Sequence, residues 1–464
     1  MSWKRTFNPL GNNLHSHTSG NDNKRMVCQL SLCGGLKCHD GVHLKKSRGA
    51  YIEMSIFSVG NRVSVRGELD AADCSRLLAA MHNEVHVKKY QDIELDFSDC
   101  TKAYPAEMVA VCVKCQQLWK EGVDIHLSLP TERKMSKLFL NTNWAHLIDI
   151  RQFEPSRYRG YTHAPALRFS SGKEQYEAIN KILEILLAAL LKLKREDLRI
   201  IEWALNEITD NVINHSQSPI GGLVQVTNHR QQSQIQFVVA DAGIGIPGSL
   251  RPARPDIRND QEALDAAIRE GVTRDNAVGQ GNGLYGTWQI SKKSFGRFRL
   301  LSGYASLESS ERDGLRIQKR DIPLSGTLVS CRIGYAADLA LEDALIFSGK
   351  RHVPTDYIET HFEAREDGSI VFDLSQESEG FGSRAAGDPV RRKLHNVIRM
   401  SDADRVIIDL DKVLLVSSSY ADEVFGKLFI ELGPLEFSRR IDIQNVDPLV
   451  QALIDKAILQ RMRQ

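Results

Sequence analysis

Between Asn206 and His215 an acid, an amide and an imidazole recur at Glu207, Asn211 and His215. On a helix the i, i+4, i+8 spacing stacks all three on one face. Ile208, Val212 and Ile213 fall on the other side, so the apolar face packs and the polar face looks into a site. A second acid, Asp241, follows the apolar run Phe237, Val238, Val239, Ala240 and precedes Ala242, Gly243, Ile244 and Gly245. That fixes a carboxylate beside a turn whose glycines reach conformations closed to other residues. Further on, Gly279, Gly281, Gly283 and Gly286 surround the start of a helix, where backbone amides can cradle phosphates. Ser325, Gly326 and Thr327 then lead into the apolar strand Leu328 to Ile333.

The elements that must position these groups can be read from periodicity. Helices are expected over about Lys173 to Lys194 and Arg195 to Ser216, and strands over Gly222 to His229 and Gln234 to Ala240. A long polar loop from Gly243 to Gly283 follows, with a short helix near Asp260 to Arg269 ended by Gly271. Its prolines and charges predict a mobile lid with little core, and Arg251, Arg254, Arg258 and Arg274 are candidates for phosphate contact. Two other phosphate-binding patterns fail. Gly281, Gly283 and Gly286 fit GxGxxG, but no strand precedes them directly. The Gly-Lys pairs at Gly172, Gly349 and Gly426 precede Glu, Arg and Leu, so there is no Walker A loop.

In this order, the four elements resemble the N, G1, G2 and terminal Gly-Thr boxes of the Bergerat-fold (GHKL) ATPases, over about residues 172–335. Glu207 and Asn211 followed by His215 look most like the anti-sigma-factor serine kinase branch and its histidine-kinase-like relatives. The resemblance implies an α/β sandwich, a mixed sheet with helices on one face, that binds ATP and Mg2+. It implies Asn211 as the magnesium ligand, an amide oxygen suiting a hard cation. Glu207 would be the base toward a water or hydroxyl. Asp241 would accept from the adenine amino group, and Gly243, Gly245, Gly279, Gly281 and Gly283 would let the backbone approach the nucleotide. His215, Leu284 and Thr327 complete the implied nucleotide-binding set.

Outside that region the chain reads as α/β units. Strand Arg62 to Leu69, a helix capped by Asp70, strand Asp92 to Phe97, helix Ala106 to Glu121 and strand Val123 to Leu129 make residues 54–152 similar to the STAS fold of anti-sigma-factor antagonists. The segment Asp99 to Ala106 lacks the serine that family phosphorylates, which favours a structural or docking module. Residues 153–171, with Pro155 and Pro165, read as a linker. Residues 336–464 resemble a second STAS-like domain, with strand Arg405 to Leu410 and Ser417, Ser418 and Ser419 at a strand-to-helix turn. Those serines are read first as helix N-caps and second as phosphoacceptors. The fold class is thus α/β and α+β multidomain, with the Bergerat domain in the centre.

Composition agrees with several cores. The chain has 464 residues, 42% of them hydrophobic, and 60 Lys plus Arg against 59 Asp plus Glu. That balance gives no general attraction for nucleic acid. The apolar run Ile185 to Leu191 is far short of the roughly 20 residues needed to cross a bilayer. Eight irregularly spaced cysteines suit a reducing compartment, so a cytoplasmic location is expected. Cys112 and Cys115 fall inside an expected helix and read as core thiols. Residues 1–53 read as a disordered or non-native extension, in which Cys28, Cys33, Cys38, His39 and His43 lack a zinc spacing. The expected function is a magnesium-dependent ATP-binding regulatory protein acting on a protein partner, with a homodimer left open. Slow hydrolysis or serine phosphotransfer would accompany binding. The alternative is a sensor histidine-kinase-like protein without its own phosphoacceptor domain. Lys173 to Lys194 carries no histidine, and His163 lies between Gly160 and Pro165.

Overall fold

The computed structural model describes residues 45–47, 50–52, 55–158, 163–190, 193–272, 281–335, 341–354, 356–362 and 369–463. The cysteine and histidine candidates of residues 1–43, and Gly279 and Arg274, lie outside the described residues.

A short hairpin, β1 (Lys45–Ser47) and β2 (Ala50–Ile52), precedes the first domain. That domain runs β3 (Ile56–Val59), β4 (Arg62–Leu69), α1 (Ala71–His82), β5 (Asp92–Ala103), α2 (Pro105–Lys120), β6 (Asp124–Ser128), α3 (Arg133–Asn141) and α4 (Trp144–Ile148). The sheet order is β3-β4-β5-β6, antiparallel at the first pair and parallel at the other two. Asp70 starts α1 by accepting from the amides of Ala72 and Asp73, both at 2.8 Å.

The central domain runs β7 (Leu167–Phe169), α5 (Gly172–Ala189), α6 (Arg195–His215), β8 (Gly222–His229), β9 (Gln234–Asp241), α7 (Gly245–Leu250), α8 (Asp260–Ala267), α9 (Gly283–Lys293), β10 (Arg297–Ser310) and β11 (Gly314–Gly334). Its sheet, ordered β10-β11-β9-β8-β7, is antiparallel at every pair rather than mixed as expected. Period-two alternation explains the strands. Ile235, Phe237 and Val239 face α5 and α6, while Val238 and Ala240 face the other way. That second face is covered by the N-terminal domain, whose α2 is apolar nearly all round because it lies between two sheets. Cys112 and Cys115 are buried thiols within it, their pKa values raised by burial. Across the boundary Arg299 Nη1 meets Glu107 Oε1 at 2.6 Å, and the Trp144 indole donates to Gln225 Oε1 at 2.8 Å.

The C-terminal domain begins with a hairpin, β12 (Ile346–Phe347) and β13 (Lys350–Arg351), and α10 (Tyr357–His361). It continues with β14 (Ile370–Asp373), α11 (Leu374–Glu377), α12 (Arg384–Met400), β15 (Val406–Asp409), α13 (Ser418–Ala421), α14 (Lys427–Leu432), α15 (Pro434–Arg440), β16 (Ile441–Gln444) and α16 (Pro448–Met462). Strands β14, β15 and β16 form a parallel sheet. The domain shares a continuous apolar core with α5 and α6. Asn396 Nδ2 donates to Leu187 O at 2.6 Å and Leu190 O at 2.9 Å, and this cap ends α5 at Ala189, short of the expected Lys194. Arg195 and Arg199 both hold the fully buried Asp356, each at 2.8 Å.

Three further expectations change. The expected linker contributes β7, which pairs with β8 because Leu167 and Phe169 can cover the end of the core. The segment after Gly243 forms α7 and α8, which pack Leu250, Ile257, Ala263, Ala266 and Ala267 into a small core of their own. It is therefore no coreless loop over its described part. The strand after Thr327 is the end of β11, which pairs with β10 along a long hairpin through a bulge near Gly303. Among the described residues no helix is long and apolar enough to cross a membrane.

Candidate functional site

Gln175 on α5 sets the rotation of α6 by donating to Thr209 Oγ1 at 2.9 Å and Asp210 Oδ1 at 2.7 Å. Leu198, Ile201 and Leu205 bury the neighbouring stripe, and Ile208 and Val212, expected on the other side, stand at its edge and line the cavity as well. Glu207, Asn211 and His215 are thereby aimed into one cavity of about 640 Å³. Asp241, Gly245, Gly281, Gly283, Leu284 and Thr327 line the same cavity. Gly243 stands behind it.

The turn after β9 is fixed by close approaches. A Cβ on Gly243 would lie 1.9 Å from Ser216 O, the carbonyl that accepts the Ile244 amide at 2.8 Å. Gly245 has φ +69° and sits against Ser302, whose hydroxyl donates to Gly326 O at 2.7 Å and accepts from the Ile246 amide at 2.9 Å. Asp241 Oδ1 accepts from the Gly243 amide at 2.7 Å, and the Thr327 amide also donates to this carboxylate. Burial pushes Asp241 up to about 6 in spite of these two bonds.

Glu207 lies at the N-terminus of α9, where a Cβ on Gly283 would come within 2.5 Å of its Oε2. A larger residue at 283 would push the Glu207 carboxylate aside. Burial first, and then repulsion from Asp210, push Glu207 up to about 7. A carboxylate in that range can take a proton near neutral pH. Asn211, Glu207 and Asp210 present oxygen donors together, a hard set suited to a magnesium ion that keeps most of its positions for water and phosphate.

Other candidates fall elsewhere. Arg251 and Arg254 are paired with Asp260 and Asp256, and neither they nor Arg258 lines the cavity. His163 stacks on Tyr158 at 4.5 Å and burial lowers its pKa to about 4, which removes it as an exposed phosphoacceptor. Ser417 caps α13 by accepting from the Tyr420 amide at 3.0 Å. Ser418 is exposed beside it. Asp422 and Glu423 face cations, Asp422 held by Arg461 at 2.8 Å and by Arg384, and Glu423 by Lys427.

Sequence reasoning missed Ser216 and Ser302, the two backbone clamps of the Asp241 turn, since an isolated serine carries no periodic signal. It also missed the hairpin β12–β13, from which Phe347, Ser348, Lys350, Arg351 and His352 line the cavity.

Two family comparisons cover parts of the chain, and among curated proteins none matches it. Residues 386–451 match a STAS-like domain of unknown function, and residues 169–285, which carry α6, the Asp241 turn and the start of α9, match the histidine kinase-like ATPase domain.

Proposed function

We propose that the chain is a magnesium-dependent ATP-binding regulatory protein whose nucleotide state controls the packing or partner binding of its STAS-like domains. The reading rests on one observation. Asp241 from the sheet, Glu207 and Asn211 from α6, and the N-terminus of α9 all line one cavity whose size suits a nucleotide. Asp241 would select adenine, with its Oδ1 already oriented by the Gly243 amide. Asn211 would hold magnesium, and Glu207 would take the proton from water or from a serine hydroxyl. Bound MgATP supplies the transferable phosphoryl group. His215, Leu284, Thr327 and Gly281 would complete the nucleotide contacts.

Regulation is supported by the connection between α6 and the C-terminal domain. The helix that carries Glu207 also carries Arg195 and Arg199, bound to Asp356, and Glu202, which accepts the Tyr357 amide at 2.7 Å. A shift of α6 on nucleotide binding would be felt in both places. Residues 54–152 enter the proposal as a STAS-like docking module, on the strength of their strand-helix order. A protein partner in a reducing, cytoplasmic setting fits the five buried free cysteines among the described residues. Incubating the full chain with γ-labelled ATP and magnesium, then separating free phosphate from protein-bound label, tests the reading. Hydrolysis gives the first and phosphotransfer the second. If neither label appears and ATP does not bind, the proposal fails.

A further inference from the structure

Helix α16 carries apolar side chains on two opposite sides. Val450, Ile454 and Ala457 are buried in the core of the C-terminal domain. Arg461 holds Asp422 at 2.8 Å, and a Cβ on Gly426 would lie 3.3 Å from Ala457 O. The helix therefore runs antiparallel to residues 418–432, and Ile430, one turn beyond Gly426 and 55% exposed, falls level with Leu453. On the far side Leu449, Leu459 and Met462 are 68%, 53% and 60% exposed, and Ala452 is exposed between them. Leu449, Ala452, Lys456 and Leu459 recur at three- and four-residue steps, with Asp455 and Met462 alongside, so all six share one face. A helix that only meets water has no use for such a stripe. On α5 the exposed side is built from Lys173, Glu174, Glu177, Lys181 and Glu184.

The order of residues along this face is self-complementary. An antiparallel copy of α16, related by a twofold axis between residues 455 and 456, sets Leu449 opposite Met462 and Ala452 opposite Leu459. The same axis sets Asp455 opposite Lys456, and symmetry repeats each pairing. Large apolar groups thus meet at both ends, a small residue faces a large one on either side of the axis, and the two charges in the stripe neutralise each other across it. Ala452 lets the helix axes approach to about 8 to 10 Å. A parallel copy in register would put Asp455 beside Asp455 and Lys456 beside Lys456, which repel.

We propose that this face of α16 binds the same face of a second copy of the chain, antiparallel, so that the protein forms a twofold dimer through its C-terminal domain. None of the six residues lines the candidate nucleotide cavity, so the inference stands apart from the nucleotide reading. One helix of 15 residues, roughly 22 Å long, buries less than the about 800 Å² per partner of a standard interface, so the dimer is weak and forms in the micromolar range. Association reaches the central domain through α12, which holds Asp422 by Arg384 and caps α5 by Asn396.

Sedimentation equilibrium of the full chain over about 1 to 200 µM tests this. The parent should shift from monomer to dimer with concentration, and Leu459→Asp should weaken the dimer more than tenfold by placing a charge against Ala452 of the other copy. Asp455→Lys and Lys456→Asp should each weaken it about tenfold, because like charges then meet at both pairings, whereas the double exchange should return it to within about threefold of the parent. All these positions are exposed, so the variants should keep the parent's melting temperature. A parent that stays monomeric throughout leaves the stripe to another partner and overturns the inference. A dimer indifferent to Leu459→Asp places the interface elsewhere and overturns it too. A double exchange no tighter than the single ones overturns the antiparallel pairing.

Discussion

Asp241→Asn should make the free chain more stable while it weakens nucleotide binding, and the size of the first effect can be worked out. The carboxyl is pushed from 3.8 to about 6 by burial, opposed by the Gly243 and Thr327 amides. Roughly two units at about 1.4 kcal/mol each make the ionised form cost about 3 kcal/mol. The folded chain holds this proton more tightly than the unfolded chain does. The stabilisation is therefore fully present below about pH 4, is lost as pH rises to about 6, and stays lost above that. Asparagine keeps the shape and an acceptor for the Gly243 amide but never ionises. A neutral acceptor bonds more weakly, by about 1 kcal/mol. The net gain expected is about 1 to 2 kcal/mol near pH 7.5 and none near pH 4.5. Denaturant or thermal unfolding of the full-length parent and variant across this range measures it, and ATP titration alongside should show affinity falling more than tenfold. A stability difference that does not change with pH, or a variant less stable than the parent near pH 7.5, would refute the argument from desolvation.

Glu207→Gln should abolish turnover and leave ATP affinity nearly unchanged. With Glu207 proposed to work as a carboxylate and pushed up to about 7 by burial, the parent's rate should climb through about pH 7 and level off above it, as a pH-rate profile would show. Gly243→Ala forces a methyl to within 1.9 Å of Ser216 O unless the turn moves, and should cost about 3 kcal/mol or more by denaturant unfolding, with nucleotide affinity lost. Arg391 is 5% exposed and is shared by Glu423 at 3.3 Å, Asp388 at 2.7 Å and Glu431. Arg391→Met should destabilise the C-terminal domain by about 1 to 3 kcal/mol, visible as a lowered melting temperature, because the buried Glu423 then keeps only Lys427 and the exposed Arg384 as partners.

Most of the candidate site is legible because its residues sit on regular elements. Glu207, Asn211 and His215 share a helix face, and that spacing survives any detail of packing. Asp241 is readable because it ends an apolar strand and is followed by two glycines. What could not be read lies where tertiary contact decides. The apolar strands β8 and β9 do not say that a helix from another domain covers their second face, and α2, apolar nearly all round, does not name its partner sheet. The end of α5 is set by Asn396, 206 residues after Leu190. The acids and prolines after Gly243 suggest a loop, yet small residues such as Ala263, Ala266 and Ala267 suffice for a local core once β10 lies beside them.

The hairpin at 346–351 shows the same limit in its sharpest form. Its strands are two residues each, too short for any period to register. Its turn places Ser348 at φ +48° and Gly349 at φ +76°, left-handed at both central positions as a two-residue hairpin favours. Asparagine or aspartate is the usual signal at the first of these, whereas serine there costs about 1 to 2 kcal/mol of backbone strain. The two hydrogen bonds from Ser348 to Glu270 offset that cost, so the turn is stable only in the presence of a residue from another part of the fold. The pair Gly349 and Lys350 fails as a Walker A loop because Arg351 stands where that motif needs Ser or Thr, and no helix follows. The lysine nevertheless lines the cavity, carried there by a hairpin held to α6 and α9 by Phe347. Residue type and local spacing exclude a Walker A loop at Gly349, and only the packing of an aromatic anchor brings Lys350 to the cavity wall.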